Sequence, residues 1–462
     1  MKPFDKLKVG CLVIVEDTTA GRRWGFPSDE TLRGEINYLA DNMERLERDL
    51  RDVEFSDLIL IKSERDVLTN SEKLKDVDAI VVFIFMGGAP AYAEVQKFYK
   101  GYGHSLEALW GLGKPTIIFT RAEDEKIYDG NLRALAFVEE HENSIDKSLW
   151  IVVNDWNRLY KILKVLQALK KIRNVTAITV GPPSSTLGSY EAMRAAIEKL
   201  GIKVIMLTFD DVLKLYDSVK KEAAENIAKQ LLEEAAGLLE ISKKRAMEEA
   251  INPARLYLTC KNLMKEKKAE VITFNCYEGG LKTLGVAPCF ALSKLSDEGL
   301  LGVCESDFAA MSAMLLSRYI TDQPSFLADV VIIPEGNRLL LAHCSCPTKL
   351  RGLDEKNLEY YVTTQYETGR SVTVKVLMDK EQVVTIIAPA FNLDEVFLIK
   401  GKIIESPNYP ICRNQCIIKV SGNVEDFLRK YPGFHWVMIY GDHIEEMEIA
   451  CKIIGVKPVK IS

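Results

Sequence analysis

Residues 304–329, CESDFAAMSAMLLSRYITDQPSFLAD, place two carboxylates at the two ends of a helix that is apolar on nearly every face. Glu305 follows a predicted strand, residues 299–304, and Asp329 opens the next predicted strand, residues 330–333. Buried carboxylates are unfavourable unless a cation or hydrogen-bond donors pair with them. The stretch therefore predicts a buried site in which a divalent metal and acid–base chemistry occur together.

Composition limits the class of protein. The 462 residues are too many for one core and indicate two or three domains. A net charge of −6 gives no electrostatic reason to bind nucleic acid or an anionic membrane. The first residues lack the layout of a signal peptide, and no apolar run reaches the 18 residues of a membrane span. We therefore expect a cytoplasmic protein whose ten cysteines are free thiols.

Strands and helices alternate through the first two thirds of the chain. Strands that are apolar throughout are typical of a parallel sheet with helices on both faces. A second such pattern begins near Asn174, with a helix at Ser189–Leu200 and a long charged helix at 218–249. The predicted strands of the two patterns are residues 9–15, 58–62, 79–85, 116–120, 150–153, 177–180, 204–208 and 271–275.

The pattern changes after about Leu340. Short β-rich segments separated by Gly, Asp, Asn or Pro indicate a small antiparallel barrel or sandwich, and a helix follows at 444–454. The predicted strands here are residues 360–364, 371–377, 382–387, 395–400 and 415–420.

The spacing around Asp329 also brings a histidine near it. Ligands of open α/β sheets bind at the carboxyl ends of the strands, where Glu305 is expected. A three-residue turn at 335–337 would pair Pro334 with Arg338 and place Asp329 opposite His343, with their Cβ atoms about 4.5–5.5 Å apart. A two-residue Gly-Asn turn would move His343 to the other face. Both registers stay open.

Several motifs together resemble the L-fucose isomerase / L-arabinose isomerase family. They are a Pro-Cys pair at 288–289, the acid-bearing CESD, the step from Glu305 to Asp329 within FLADV, the HCSCP motif, and GFHWVMIYGDH, which contains His435. Near the start, AGRRWG with Arg22 and Arg23 is similar to a DGRRxG motif of fucose isomerases. The resemblance is strongest from about residue 276 onward.

The resemblance implies a fold and an oligomer. The fold class is α/β, with two Rossmann-like doubly wound domains, residues 1–173 and 174–340, and a C-terminal antiparallel β-barrel domain, residues 341–462. It also implies a homo-trimer or homo-hexamer that binds a small-molecule sugar. His104 follows a glycine-rich loop similar to loops that reach a neighbouring subunit's active site in the arabinose branch.

The resemblance further implies aldose–ketose isomerisation with a divalent cation, typically Mn²⁺. Glu305 and Asp329 would be metal ligands and proton-transfer groups, His435 a third ligand, and His343 the match to a histidine of the arabinose branch. Arg22 and Arg23 would hold sugar hydroxyls. An aspartate as the second acid follows the fucose branch, so the sugar remains undetermined.

The chemistry agrees with these residue types. Isomerisation moves one proton between C2 and C1 and another between O1 and O2, and a metal that chelates both oxygens spreads the enediolate charge. Carboxylates can carry the protons. A mixed oxygen and imidazole site favours Mn²⁺, with Co²⁺ or Mg²⁺ as substitutes.

Other interpretations compete with this one. Glu305 at a helix start can be stabilised by the helix dipole alone, Asp307 can bond backbone amides there, and His435 can be an ordinary core histidine. At the level of function, the alternatives are a sugar-binding protein without catalysis and a metal-dependent hydrolase or aldolase. Four cysteines, 344, 346, 412 and 416, would form a zinc site if their segments met, but their spacing differs from the common knuckle and buried thiols are the preferred interpretation.

Overall fold

The chain forms two compact units, Met1–Lys170 and Lys171–Ser462. The structure is a computed structural model. It describes residues 6–15, 29–61, 64–85, 108–120, 122–123, 126–127, 149–187, 189–277, 281–429 and 431–461. The division into three domains at 173 and 340 stays a prediction. Among the helices within these ranges, none combines the length and the apolar character needed to cross a membrane.

The first unit contains a six-stranded parallel sheet. Its order is β2-β1-β4-β5-β8, and β3 also pairs with β1. The strands are β1 (Leu7–Val15), β2 (Val53–Phe55), β3 (Ile59–Ile61), β4 (Ala79–Phe85), β5 (Thr116–Thr120) and β8 (Leu149–Val153), with a two-residue antiparallel pair β6 (Ala122–Glu123) and β7 (Lys126–Ile127) beside them in sequence. The parallel arrangement predicted from the apolar strands is confirmed.

Helices of the first unit account for the burial of its strands. Every residue of β5 is buried, and Leu12, Ile80 and Ile118 lie in one core cluster. Strands with both faces covered lose the alternation of apolar and polar residues, which is why the sequence shows continuous apolar runs. The helices are Asp29–Asp49, Glu64–Thr69, Ser71–Lys75 and Trp156–Ile172.

The second unit begins with a four-stranded parallel sheet in the order β10-β9-β12-β13. Its strands are β9 (Thr176–Val180), β10 (Lys203–Leu207), β12 (Val271–Phe274) and β13 (Leu301–Cys304). The accompanying helices are Ser189–Leu200, Phe209–Ser218, Lys221–Glu234, Lys243–Lys267, Leu281–Leu284, Cys289–Asp297 and Phe308–Thr321.

The prediction of one long charged helix at 218–249 is wrong. The chain leaves the helical conformation at Val219 and again at Ala235, and the short strand β11 (Gly237–Leu238) pairs with a strand near residue 361. Ser242 then caps a new helix by accepting the backbone N–H of Arg245. The segments on both sides of each break are rich in Ala, Glu and Lys, which have high helix propensity. Composition alone therefore did not reveal the breaks.

A closed six-stranded antiparallel barrel follows, in the order β18-β21-β14-β15-β20-β19, with β18 pairing β19 to close it. Its strands are β14 (Phe326–Ile333), β15 (Arg338–His343), β18 (Val383–Pro389), β19 (Glu395–Glu405), β20 (Asn414–Val420) and β21 (His435–Tyr440). Strand β22 (Lys457–Ile461) adds to β19 in parallel. The barrel, rather than the sandwich, is therefore the architecture, and it begins with β14, upstream of Leu340.

Two predicted strands lie outside the barrel. Strands β16 (Tyr360–Thr364) and β17 (Val372–Val376) form a separate sheet with β11. The remaining helices are Asp426–Arg429 and Ile444–Ile453.

The helix Phe308–Thr321 is buried as predicted. It contacts β13 on one side, β18 and β21 of the barrel on another, and the helices Ser189–Leu200 and Ile444–Ile453. A helix with protein on all sides is apolar on all sides. The helix joins the parallel sheet to the barrel, and the two carboxylates predicted at its ends lie where these elements meet.

Candidate metal and acid–base site

Glu305 is positioned by a two-residue left-handed segment at the carboxyl end of β13. Glu305 and Ser306 have φ values of 62° and 52°, a conformation that is unfavourable for residues other than glycine. Hydrogen bonds from neighbouring strands hold it: Thr273 Oγ1 accepts the Ser306 N–H at 3.0 Å, and Thr179 Oγ1 lies 3.1 Å from Ser306 Oγ. The backbone therefore turns sharply at Glu305 before the buried helix begins.

Asp307 links the start of that helix to the barrel. It is the N-cap, and its Oδ1 accepts the Ala310 N–H at 2.9 Å, as the backbone-amide interpretation predicted. Its Oδ2 lies 2.9 Å from Nδ1 of His435, and both side chains are almost fully buried. An imidazole that donates Nδ1–H to a carboxylate presents its unprotonated Nε2 on the opposite side.

Asp329 reaches the site through β21, and the predicted register with His343 is wrong. Asp329 pairs with Ala342 on β15 and with His435 on β21. The β14–β15 connection has four residues, 334–337, with positive φ at Gly336 and Asn337, so the pairing shifts by one residue. Because directly opposed residues share a face, the pairing with β21 brings Asp329 Oδ1 to 3.6 Å from His435 Nε2.

His343 ends β15 and is buried. Its Nε2 lies 3.7 Å from Glu305 Oε1, and its Nδ1 lies 3.0 Å from Ser345 Oγ. Nδ1 also accepts the backbone N–H of Ser345 at 3.3 Å, so a ring proton lies on Nε2, which faces Glu305. His343 therefore lies beside Glu305 even though it is not opposite Asp329.

The side chains of Glu305, Asp329, His343 and His435 thus converge. Each comes from a different strand or strand end. His435 Nε2 lies 3.8 Å from Glu305 Oε2 as well as near Asp329, and the two imidazole rings stand 5.4 Å apart. All four line one cavity of about 350 Å³, together with Thr186, Leu187, Cys276, Tyr277, Leu281, Pro288, Cys289, Cys304, Cys344, Gln365, Glu367, Cys412 and Phe434. A cavity of this size holds a monosaccharide-sized ligand.

Electrostatics sets opposite charges on the acids and the imidazoles. Burial would raise the pKa of Glu305, but the hydrogen bond and charge of His343 and the charge of His435 outweigh it and lower the pKa. Burial would likewise lower the pKa of His343, yet Glu305 and Asp329 raise it to about 9. The pKa of His435 is raised against burial by Asp307. The Glu305 carboxylate is therefore favoured in its ionised form and attracts positive charge.

The donor set fits a divalent cation. Ligand atoms of Asp329, His343 and His435 all lie within 4.8 Å of one another, and Glu305 with His343 and Cys304 forms a second such group. Two carboxylates and two imidazoles match the ligands of Mn²⁺ or Co²⁺. Asp307 supplies the carboxylate that commonly orients a metal-binding histidine. The cation itself remains a proposal.

Three predicted site residues are not available for comparison. Arg22, Arg23 and His104 lie outside the described residues.

The cysteines do not form the four-membered zinc site. Cys344 and Cys412 line the cavity with Cys289, whereas Cys346 and Cys416 are buried without lining it. Hydrogen bonds from Cys289 and Cys412 lower the pKa of the Cys344 thiol. All ten cysteines are free, and all except Cys412 are buried.

Sequence reasoning missed two features of the site. The contact of Asp307 with His435 spans 128 positions of the chain, and only the role of Asp307 at the helix start was visible locally. Gln365 and Glu367 also line the cavity, from a turn after β16. A polar QYETGR run directly after a buried strand was the available signal.

Comparison of the sequence with known proteins finds similarity to sulfoquinovose isomerases. No protein-family profile matches the chain. Sulfoquinovose isomerases of Priestia aryabhattai and Priestia megaterium are each 22% identical over 302 residues, which cover 63% of this chain and 65% of the relative. One of Alkalicoccus urumqiensis is 23% identical over 195 residues, covering 40% of this chain and 42% of the relative. The chain thus matches just under two thirds of the length of the first two relatives.

Proposed function

We propose that this protein is a divalent-metal-dependent aldose–ketose isomerase, with Glu305 and Asp329 as metal ligands and proton-transfer groups. The observation that carries the proposal is the convergence of two carboxylates and two imidazoles in one cavity, with His435 oriented by Asp307. Similarity to proteins named sulfoquinovose isomerase supports the same reaction class.

Glu305, Asp329, His435 and His343 are the residues that would hold the cation, with Mn²⁺ as the first choice. When bound, the cation would polarise the two substrate oxygens and stabilise the negative charge that develops as the C2 proton leaves. Asp307 keeps the proton of His435 on Nδ1 and so keeps Nε2 available for the cavity.

Proton transfer divides between the two carboxylates. Glu305 is the less exposed, with 26% of its side chain accessible against 49% for Asp329, and its lowered pKa keeps it ionised. We assign to Glu305 the removal of the C2 proton and its delivery to C1, because a shielded base can return the same proton. Asp329 then moves the proton between O1 and O2.

Other features belong to the same proposal. Residues 1–173 and 174–340 would be two Rossmann-like domains, except that β14 and β15 already belong to the barrel, and residues 341–462 would complete the barrel domain. Arg22, Arg23 and His104 would contact the sugar, and the protein would act in the cytoplasm as a homo-trimer or homo-hexamer.

The test is ketose formation by protein that has been stripped with chelator and then given Mn²⁺, across a panel of aldoses that includes L-fucose, L-arabinose and sulfoquinovose. We expect turnover that needs the metal, and loss of turnover without loss of the fold in Glu305→Gln and Asp329→Asn. Glu335→Gln and Asp354→Asn make the same chemical changes at exposed positions away from the cavity and serve as controls.

Near-normal turnover in either site variant would contradict the assigned roles. Metal binding without turnover of any aldose would point to another metal-assisted reaction. Sugar binding without metal would point to the binding-protein alternative.

A further inference from the structure

A polar turn forms one wall of the same cavity. It follows β16 and comprises residues 365–370, with Gln365 and Glu367 lining the cavity. Neither residue has a part in the proton transfers or the metal binding described above.

Gln365 presents a hydrogen-bond donor to the cavity. It is 3% exposed, and its Oε1 accepts both the backbone N–H and the hydroxyl of Thr368, at 2.8 and 2.7 Å. These bonds fix which end of the amide is oxygen and which is nitrogen. Its Nε2 makes no hydrogen bond to any residue that the structure describes, so both N–H donors remain available to a ligand.

Glu367 presents an acceptor two residues later. Its Oε1 lies 3.7 Å from Cys412 Sγ, and the side chain is exposed at the rim of the cavity. A donor and an acceptor side by side match the hydroxyl groups of a sugar, each of which can both accept and donate.

The turn is held rigidly enough to act as a recognition element. The Gly369 N–H bonds back to the Gln365 carbonyl at 3.0 Å, and Arg245 Nη2 donates to the Gly369 carbonyl. At its end, the Ser371 N–H donates to Glu249 Oε2 at 2.8 Å. Both anchors come from the helix Lys243–Lys267, so Gln365 and Glu367 are fixed before a ligand arrives.

The charge of this wall decides which ligands it favours. A divalent cation would offset the charges of Glu305 and Asp329 but not that of Glu367, whose pKa burial and Cys344 raise above its ordinary value of 4.5. On the described walls of the cavity there is no lysine or arginine to compensate that charge, and the proposed sugar contacts Arg22 and Arg23 lie outside the described residues. A hydroxyl can donate to this carboxylate, but a sulfonate, phosphate or carboxylate placed beside it would be repelled.

We propose that the 365–370 turn is the subsite for the distal hydroxyls of a neutral aldose, with Gln365 as donor and Glu367 as acceptor. Through Glu367 the subsite discriminates against aldoses that carry an anionic group at the distal carbon. This inference rests on the proposed isomerase function, because it names the substrate class of that site. It also separates this chain from the sulfoquinovose isomerases, because sulfoquinovose is a sulfonated aldose.

The experiment compares kcat/KM for an aldohexose with that for its 6-sulfonate, on the full chain loaded with Mn²⁺. We expect the wild type to prefer the neutral sugar by at least about tenfold, and Glu367→Gln to reduce that preference by about tenfold. Gln365→Glu should raise KM for the neutral sugar by about tenfold with little change in kcat, because it removes a binding donor and leaves the reacting groups in place. Glu335→Gln, an equal charge change on the exposed β14–β15 turn, should leave the preference unchanged.

Two results would overturn the inference: a wild type that prefers the 6-sulfonate, or a preference that Glu367→Gln does not alter. If neither sugar is turned over, the isomerase proposal fails, and calorimetry with the corresponding neutral and 6-sulfonated alditols then tests the subsite separately. The subsite would be supported if the neutral alditol binds more tightly than the 6-sulfonated alditol and Glu367→Gln weakens its binding. Equal binding or no binding would refute it.

Discussion

Asp307 shows how a single residue can connect a helix start to a reactive group. One carboxylate oxygen caps the helix Phe308–Thr321, and the other fixes the ring of His435. Asn and Asp cap helices about equally well, so Asp307→Asn keeps the cap and removes the charge. We expect its Mn²⁺ affinity to fall by about 10- to 100-fold with little loss of stability, measured by calorimetric titration of the metal-free protein.

A helix cap outside the site gives the matched control for Asp307. Ser242 accepts the Arg245 N–H in the same way, at 3.4 Å, but contacts no histidine. Ser242→Ala should lower the free energy of unfolding by about 1 kcal/mol and leave metal affinity unchanged. Unchanged Mn²⁺ affinity in Asp307→Asn would show that His435 does not depend on Asp307 for its orientation.

Thr273 is the second residue whose effect reaches the site indirectly. Its hydroxyl accepts the Ser306 N–H and so supports the left-handed conformation that directs Glu305. Thr273→Val keeps the shape but leaves that buried N–H without a partner, which costs about 1–3 kcal/mol of stability. We expect kcat to fall by about 10- to 100-fold while KM changes little, because the base is displaced and the sugar subsite is not.

The control for Thr273→Val is the same substitution at Thr259. This residue is also buried, and its hydroxyl bonds the Arg255 carbonyl within a helix. Thr259→Val should leave kcat unchanged. If Thr273→Val loses stability and keeps its full kcat, the left-handed segment does not need this hydrogen bond to position Glu305.

At the scale of elements, the approach of a helix to β13 depends on the absence of one side chain. A Cβ on Gly302 would collide with the backbone of Leu292, in the helix Cys289–Asp297. We expect Gly302→Ala to lower the free energy of unfolding by about 1–3 kcal/mol, and more if the helix cannot shift, as measured by urea unfolding.

Gly34 provides the comparison for Gly302. It lies on the helix Asp29–Asp49 with nothing near its Cβ position. Gly34→Ala should therefore stabilise the protein by about 0.5–1 kcal/mol. Equal effects at the two glycines would show that β13 and its helix are not packed as tightly as the structure indicates.

Elements were predictable from sequence where local burial dictated them. Ala79–Phe85 is apolar throughout and every residue of Thr116–Thr120 is buried, so the limits of both strands were predicted correctly. The register of β14 was not predicted correctly, because adding or removing one residue in the β14–β15 turn shifts the pairing of the two strands. The breaks in the charged stretch were missed because β11 pairs with a strand more than 100 residues later.

Four of the seven predicted site residues lie together in the structure, but the contacts among them were not predicted. Glu305, Asp329, His343 and His435 do lie together. Which of them pair was not visible, because a barrel brings β21 beside β14 and this neighbour is about a hundred positions away in the chain. The contact of Asp307 with His435 and the position of Gln365 in the cavity were missed for the same reason.

The whole molecule should report metal binding through its stability, with a dependence on pH that the histidines define. In the metal-free protein, the raised pKa of His343 contributes stability that is fully present below its ordinary pKa of 6.5 and is lost as pH rises through about 9. A metal needs the unprotonated imidazole, so below pH 9 binding must displace a proton. The metal-free and metal-loaded proteins should therefore respond to pH in opposite directions.

We predict that the increase in Tm caused by a fixed concentration of Mn²⁺ grows from pH 6 to pH 8. For each proton that the metal displaces, the affinity for Mn²⁺ rises by up to about tenfold per unit increase in pH. The pKa of His435 is also raised, so this histidine contributes to the same trend. Thermal unfolding with and without Mn²⁺ at pH 6, 7 and 8 measures this. His343→Asn removes one of the histidines that must lose a proton when the metal binds. The increase in Tm caused by Mn²⁺ should then depend less strongly on pH. A shift in Tm that is equal at all three pH values would mean that neither histidine gives up a proton to the metal, and it would remove the imidazoles from the proposed ligand set.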